Sequence, residues 1–498
     1  MTSVTTSSVI NHIAAVPPRT GHRISFVRLG GTVSLDLADL YERAGRLAWH
    51  LAELGVRAGD RIGILAANSL EWVLLDLAAL RLKAVTAGFD PGKFQPEPAL
   101  LTRYDLAYLF TDRNAAAPGI LPMAGLAELG PGGGLPVVDY APGDATTIKF
   151  TSGSTGEPKG LAATAGSIDA SILAVQEMFG HGDGDDLFVF LPLSLLQQRY
   201  WIYSALRFGH DVTVTTYEAA FPTLRKARPT VVMGVPGFYE TARRHIEAQR
   251  TDPKTAATRL FGDRIRYLWT GSAPASPGLL EFFDGLGLPI YEGYGLNETC
   301  IVAKNHPGAH RRGSVGQVLP GKKVLFDADG VISVHSDHPV NTRYAYAAPG
   351  ESERVFGPDG TVRTGDVGHL DADGFLYIHG RADDVIVLDN GRKVVVRPIE
   401  ERLKASQAIE ECVVFCPTQT HLAAVISPAA DPPDSAAIAA HVAACNAELG
   451  PDEQIAHHVV ASPRFSIEGG LLTSQYKPRR AQILRAYRDA LAPQGRQP

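Results

Sequence analysis

The sequence predicts an α/β protein with a large N-terminal part and a smaller αβ part towards its C-terminal end. Three observations carry that prediction. Segments with helical and strand-like patterns alternate as far as about residue 300, as in a mostly parallel sheet covered by helices on both faces. From about residue 313 the texture changes to short strands, with Asp-Gly turns at 329–330, 359–360 and 373–374 that mark hairpins. After Arg381 a compact run of hairpin, helices and strands follows, which makes the GRADD segment the boundary.

Taken in order, residues 36–54 place Leu37, Leu40, Ala44, Leu47, Ala48, Leu51 and Leu54 on one helical face, with Asp36 as N-cap and Gly55 as stop. GDRIGILAA then reads as a buried strand, SLEWVLLDLAALRLKA as a helix and AVTAGFDP as a strand. VVMGV, IRYLWTG and LPIYEGYG are strands, with the helix PGLLEFFDGLG between the last two. KKVLFDADGVISV and GHLDADGFLYIHGR supply the short strands of the middle region. Beyond the boundary, VIVLDNGRKVVV is a hairpin, PIEERLKAS a helix, and IEECVVFC and HLAAVIS are strands. SAAIAAHVAACNAEL and PRRAQILRAYRDAL close the chain as helices, the last one amphipathic and basic.

A chain of 498 residues is too long for one simple core, so two or more domains are expected. A formal charge of −6 carries no nucleic-acid signature. Four scattered cysteines argue against a disulfide framework, and Cys412 and Cys416 read as buried thiols. The opening segment MTSVTTSSVINHIAAVPPRTGHR reads as a frayed leader without the pattern of a signal peptide. The run WVLLDLAAL is broken by Asp76 and is too short for a membrane span, so a cytoplasmic enzyme is expected.

The chemistry begins at TSGSTGEPKG, residues 151–160. A Walker loop needs glycine immediately before its lysine, whereas here Pro158 precedes Lys159 and Gly160 follows it. The glycines and hydroxyls still offer donors to a polyphosphate.

The longer string IKFTSGSTGEPKGL resembles the phosphate-loop signature of the adenylate-forming (AMP-binding) superfamily. YEGYGLNET resembles that family's second core motif, RTGDVGHLDADGFLYIHGRADDVIVLDNGRKV its third and fourth, and GLLTSQYKPRR its last. They occur in the family's order, and the resemblance covers roughly residues 30–490. The flanking phrases RPTVVMGVPGFYE and WTGSAPASPGLLEFF look most like long-chain acyl-CoA synthetases. The resemblance implies an N-terminal domain over 1–380 that adds a distorted β-barrel to its sheets, a hinge at 381–384, and a small mobile α+β lid over 385–498. It also implies ATP and Mg²⁺ as cofactors, a small-molecule acid as substrate, and coenzyme A or an acyl carrier protein as acceptor.

Residue by residue, the resemblance places Thr151, Ser152, Gly153, Ser154, Thr155, Gly156 and Lys159 around the β- and γ-phosphates. Gly271, Ser272, Ala273 and Pro274 form the turn along the adenine, with Glu292, Gly293, Tyr294 and Gly295 beside it and Tyr294 stacking on the base. Glu298, with Thr151, would hold Mg²⁺, as suits a hard cation that wants oxygen ligands. Asn297 stands where the family commonly has a threonine touching the α-phosphate, and its amide still donates. Asp366 would accept from both ribose hydroxyls with Ile378 and Arg381 nearby, Asp383 falls at the hinge, and Lys477 is the adenylation lysine.

The pattern bends at the mouth of the acyl pocket. In LPLSLLQQRYW, Leu195 and Gln198 replace a histidine and a glutamate often found there, beside Arg199, with Gly237 also assigned to the pocket. The reading is therefore an ATP-dependent ligase that forms an acyl-adenylate and pyrophosphate, then a coenzyme A thioester of a fatty or an aryl, cinnamoyl-like acid. Two other outcomes stay open at this level: transfer to a carrier-protein thiol or an amine, and activation of nitrite for diazotisation of an aryl amine.

Overall fold

The computed structural model describes residues 8–115, 117–151, 158–390, 392–418, 420–473 and 477–491, with Thr151, Asp383, Val387 and Lys393 described in backbone only. The expected Ser152, Gly153, Ser154, Thr155 and Gly156 lie outside the described residues. Two compact units emerge: one comprises residues 1–325, 333–364 and 371–376, the other 326–332, 365–370 and 377–498. The fold is the α/β architecture read from the sequence, with parallel sheets in the larger unit and a smaller C-terminal unit.

Two sheets build the larger unit. The nine-stranded one runs in the order Gln317–Val318, Cys300–Lys304, Ile290–Leu296, Tyr267–Thr270, Val231–Gly234, Asp186–Val189, Asp211–Val214, Arg23–Arg28, Gly31–Asp36. Its middle is parallel and its ends are antiparallel. The six-stranded sheet holds Arg61–Leu65, Val85–Phe89 and Ala145–Thr151 in its parallel part, and ends on the antiparallel pair Ala145–Thr151 with Lys159–Thr164. Strands such as Val85–Phe89 and Val231–Gly234 are buried throughout, as both faces of a helix-covered parallel sheet require.

The helix Leu37–Glu53 buries the face that its spacing predicts except for Leu54, which follows the helix and is exposed, and Asp36 makes no side-chain capping bond. Leu70–Leu82 is apolar almost all round and is capped by Ser69. The opening segment departs from expectation. From Ser8, whose hydroxyl accepts from the Asn11 amide, a helix Val9–Ala15 buries Val9, Ile10 and Ile13, so this stretch is part of the core and not a frayed leader.

In the smaller unit, Ile409–Phe415, Leu422–Pro428 and Ile455–Val460 form a three-stranded sheet. Alternate residues face opposite ways. Cys412, Val414 and Ile426 pack with Ile399, Ile438 and Val442, whereas Val413 and Val425 pack with Ile483 and Leu491. The period of two thus feeds a separate core on each face. The strand Ile455–Val460 was not legible because His457 and His458 interrupt its apolar pattern. Val385–Val387 and Lys393–Val395 form the predicted hairpin. In the region where the resemblance implies a distorted barrel, Lys322–Phe326, Val331–Ser336, Val362–Leu370 and Leu376–Arg381 form a four-stranded sheet. None of the described helices is long and apolar enough to cross a membrane.

Candidate active site

Thr151 and Lys159, on either side of residues 152–157 in the sequence, are register partners in an antiparallel pair. Pairing on the far side of the second strand is made by Gly160, whose amide and carbonyl bond the backbone of Ala345 at 2.9 and 2.7 Å. That bridge sets Tyr344 beside Lys159. The Lys159 ammonium lies 5.3 Å from the centre of the Tyr344 ring and 2.8 Å from Glu351 Oε1. Through that pair Lys159 holds the Glu351 carboxyl below its usual range, so an anion at Lys159 would compete with a carboxylate already in place.

Tyr344 reaches the second motif as well: its hydroxyl donates to Glu298 Oε1 at 2.6 Å. Burial, then the Glu298 carboxylate, pushes the phenol well above its ordinary range, so Tyr344 stays a donor. The carboxylate is half-buried, and among the described residues its Oε2 accepts no bond. A hard, anchored carboxylate oxygen with capacity to spare fits magnesium. Glu298 would hold the ion and Asn297, which is exposed, would face the α-phosphate.

The strand Ile290–Leu296 lines up with the turn that the resemblance assigns to the adenine. Thr270 pairs with Glu292, so the turn 271–274 emerges beside Glu292 and Gly293. Glu292 Oε1 accepts from the Ala275 amide at 3.2 Å, Gly271 packs on the Gly293 carbonyl, and Ser272 takes a positive φ of 68°. A bulge between Tyr294 and Gly295 bends the strand. At Gly295 a Cβ would lie 2.0 Å from the Cys300 carbonyl oxygen, so only glycine fits there.

In the smaller unit Asp366, at 7% exposure, pairs with Arg381 at 3.1 Å. Gly365 has φ +73°, and a Cβ on it would strike the Arg381 guanidinium. Ile378 lies half-buried on the strand that ends at Arg381, and the backbone of Asp383 lies in the turn Ala382–Asp384. Lys477 is exposed, yet the protein around its amine, with Arg397 next, lowers its pKa against the pull of Asp366. Sequence and structure therefore bring Asp366, Arg381 and Lys477 into one electrostatic neighbourhood.

The pocket assignments fare differently. An apolar, aromatic pocket between the helices Ala165–Phe179 and Leu196–Phe208 is lined by Ile172, Val175, Gln197, Tyr200, Trp201, Ser204, Met233, Trp269 and Ile301. Leu195, Gln198, Arg199 and Gly237 are not among its walls. Leu195 precedes the helix and is 36% exposed, whereas Gly237 opens the helix Pro236–Glu247 beside empty space. Gln198 is buried with its Nε2 3.9 Å from Met233 Sδ. Arg199, expected at the pocket, turns inward: at 1% exposure its guanidinium meets Asp76 at 2.8 Å and Thr147 at 3.0 Å. The reason is electrostatic, since Asp76 sits in the midst of an apolar helix and needs a cation.

A family model described as AMP-binding enzyme matches residues 14–332, and one described as AMP-binding enzyme C-terminal domain matches 383–492. The chain belongs to the AMP-binding enzyme family. It is an adenylate-forming ligase. Within the family it is 27% identical over 473 residues to the long-chain-fatty-acid–CoA ligase FadD15 of Mycobacterium bovis, covering 80% of this chain and 78% of the relative. To a 2-succinylbenzoate–CoA ligase of Bacillus cereus it is 27% identical over 395 residues, covering 76% and 79%. Its fold is similar to that of the o-succinylbenzoate CoA synthetase of Bacillus subtilis solved with its acyl-adenylate, with a TM-score of 0.77, 22% identity, and 96% and 97% of the two chains covered. The anthranilate CoA ligase AuaEII, solved with anthranoyl-AMP, is similar at a TM-score of 0.79, 19% identity, and 97% and 98% coverage.

What sequence reasoning missed are the residues that hold these groups. Tyr344 and Glu351 lie in RYAYAAPGES, and Lys149 on the strand that enters the phosphate loop. Only Lys149 carried a signal, as a charge inside a strand otherwise suited to burial.

Proposed function

We propose that the protein activates a carboxylic acid as an acyl-adenylate and transfers the acyl group to coenzyme A. The single observation that carries the reading is the placement of Lys159 and Glu298 on either side of Tyr344. On this reading, one side chain joins the cation for the phosphates to the carboxylate for the metal.

The chemistry follows from charge. A carboxylate oxygen of the acid attacks the α-phosphorus, the bond from that phosphorus to the bridging oxygen breaks, and pyrophosphate leaves. Negative charge spreads over phosphate oxygens, so preorganised cations and donors dominate the rate. Lys159 supports the departing end of ATP, and Lys477 meets the α-phosphate and carboxylate oxygens. Glu298 would hold magnesium, which would supply neutralisation of the phosphate charge. In the second step the thiol sulfur of coenzyme A attacks the acyl carbon, AMP leaves with the electrons of the carbon–oxygen bond, and the thiol proton passes to solvent.

Names of the relatives support an acid–CoA ligation, with fatty and aryl acids both represented. The pocket walls of Tyr200, Trp201 and Trp269 favour an aryl acid over a long, flexible chain. The test is release of AMP and pyrophosphate across fatty acids, benzoates, cinnamates and nitrite, with and without coenzyme A. Turnover with an aryl acid that forms a thioester supports the reading. No turnover with any carboxylate overturns it, and turnover with an acid that ignores coenzyme A moves the acceptor to a carrier thiol or an amine.

A further inference from the structure

Three side chains from three distant segments grip the consecutive residues Asn297, Glu298 and Thr299. Lys149 donates its ammonium to the Asn297 carbonyl at 2.5 Å, and Lys322 donates to the Thr299 carbonyl at 2.8 Å. Tyr344 takes the carboxylate between them at 2.6 Å. Lys149 is 5% exposed, and no carboxylate of the described residues lies within ion-pair distance of it or of Lys322. Its other neighbour is Cys300 Sγ at 3.6 Å, which also lies 3.3 Å from the Tyr200 hydroxyl.

A neutral donor would serve a backbone carbonyl, whereas a buried ammonium carries a desolvation cost that a carbonyl alone does not offset. The buried Lys149 ammonium and the half-buried one of Lys322, which also donates to Ser336 Oγ at 3.3 Å, therefore do more than satisfy two oxygens. They place fixed positive charge behind a loop that is to face a polyphosphate and a metal-binding carboxylate. Lys149 also stands two positions before Thr151, where the strand enters the phosphate loop, so its bond ties that strand to the Glu298 loop.

We propose that Lys149 and Lys322 are positioning residues that set Glu298 for the divalent cation of the metal–ATP complex. The proposal rests on the reading of Glu298 as the cation's carboxylate. Neither lysine touches ATP in this role; each acts through the backbone on one side of Glu298.

The test compares Lys149→Met, Lys322→Met and Glu298→Gln in the full-length protein. Binding of Mn²⁺ in the presence of ATP is read by electron paramagnetic resonance, and nucleotide binding without metal by equilibrium dialysis. Each lysine variant is expected to weaken Mn²⁺ binding about tenfold, the scale of one hydrogen bond from a charged donor. KM for Mg·ATP should rise with it, while metal-free ATP binding and melting temperature stay near wild type. Lys322, half-buried, keeps the test open should Lys149→Met fail to fold. A folded lysine variant that binds Mn²⁺ as wild type does, while Glu298→Gln does not, overturns the proposal alone. Unchanged Mn²⁺ binding in Glu298→Gln overturns the reading of Glu298 and the proposal with it.

Discussion

The Tyr344 hydroxyl donates to Glu298 Oε1 across 2.6 Å while its ring faces the Lys159 ammonium at 5.3 Å. One side chain thus relates the two charged groups assigned to the polyphosphate end of ATP. Removing only the hydroxyl tests whether that relation matters. A hydrogen bond to a charged group contributes about 1.5–3 kcal/mol, so Tyr344→Phe should lower kcat/KM for ATP by roughly 10- to 100-fold. The deficit should shrink as Mg²⁺ is raised, because a loosened Glu298 binds the ion less well. Pyrophosphate release measured against Mg²⁺ decides it: a constant deficit at all Mg²⁺ concentrations would separate Tyr344 from the metal site.

The buried pair Asp76–Arg199 gives a stability prediction. Both side chains are almost wholly buried, and Tyr203 and Thr86 complete the hydrogen bonding of Asp76. Breaking such a pair from one side leaves an uncompensated charge and costs about 3–5 kcal/mol. Arg199→Met should therefore lose about that much in urea denaturation, and Asp76→Leu combined with Arg199→Met should recover most of it. Equal loss in the single and double variants would show that packing, and not charge, dominates here.

The contrast between Arg199 and Asp366 shows what was legible. The partners Asp366 and Arg381 lie in one contiguous motif, and the pair forms at 3.1 Å. Gly295, assigned to the nucleotide by resemblance, meets a demand that the sequence did not announce, since a Cβ there would strike the Cys300 carbonyl. Arg199 was read as a polar residue of the pocket although it shares the buried face of its helix with Leu196 and Tyr203. Helical spacing carried that signal, and Asp76 inside an apolar helix named its partner. Tyr344 and Glu351 had no such handle, and the charge of Lys149 inside a buried-type strand named no partner. Their contacts join residues 46, 192 and 148 positions apart, and only the fold brings those segments together.

Two buried histidines contribute to the response to acid. Burial, reinforced by neighbouring His210, lowers the pKa of His181 to about 3, and burial lowers that of His210 to about 4. Both are depressed below the unfolded value of about 6.5, so their contribution to stability is complete above pH ~6.5 and is lost as pH falls towards the folded values. Asp186 works the other way, because burial raises its pKa to about 7 and the unfolded chain ionises first. Comparing wild type with His181→Phe cancels that common contribution. The stability of wild type relative to the variant should fall by about 2 kcal/mol between pH 7 and pH 5. Urea denaturation at the two pH values measures it, and a gap that does not move with pH would mean that His181 is not held neutral.

Lys477 gives the most direct prediction on the chemistry. Arg480, three positions on, is fixed by Asp384 at 3.1 Å and by Glu400 at 2.7 Å, while the Lys477 backbone is held by Thr473 at both its amide and its carbonyl. The backbone is therefore anchored within its own unit, and the amine lies in the field of Arg397, Asp366 and Arg381, a cation suited to developing negative charge. Lys477→Ala should lower the rate of acid-dependent pyrophosphate release by orders of magnitude and leave ATP affinity within a few-fold of wild type, because the interaction is made chiefly in the transition state. The crowding of the amine and the guanidiniums of Arg397 and Arg381 lower its pKa from 10.5. The active ammonium should accordingly be lost as pH rises through a value below 10.5, giving an alkaline decline in kcat that the alanine variant lacks. A pH–rate profile of both proteins checks the assignment: the same alkaline limb in each would place that titration on another group.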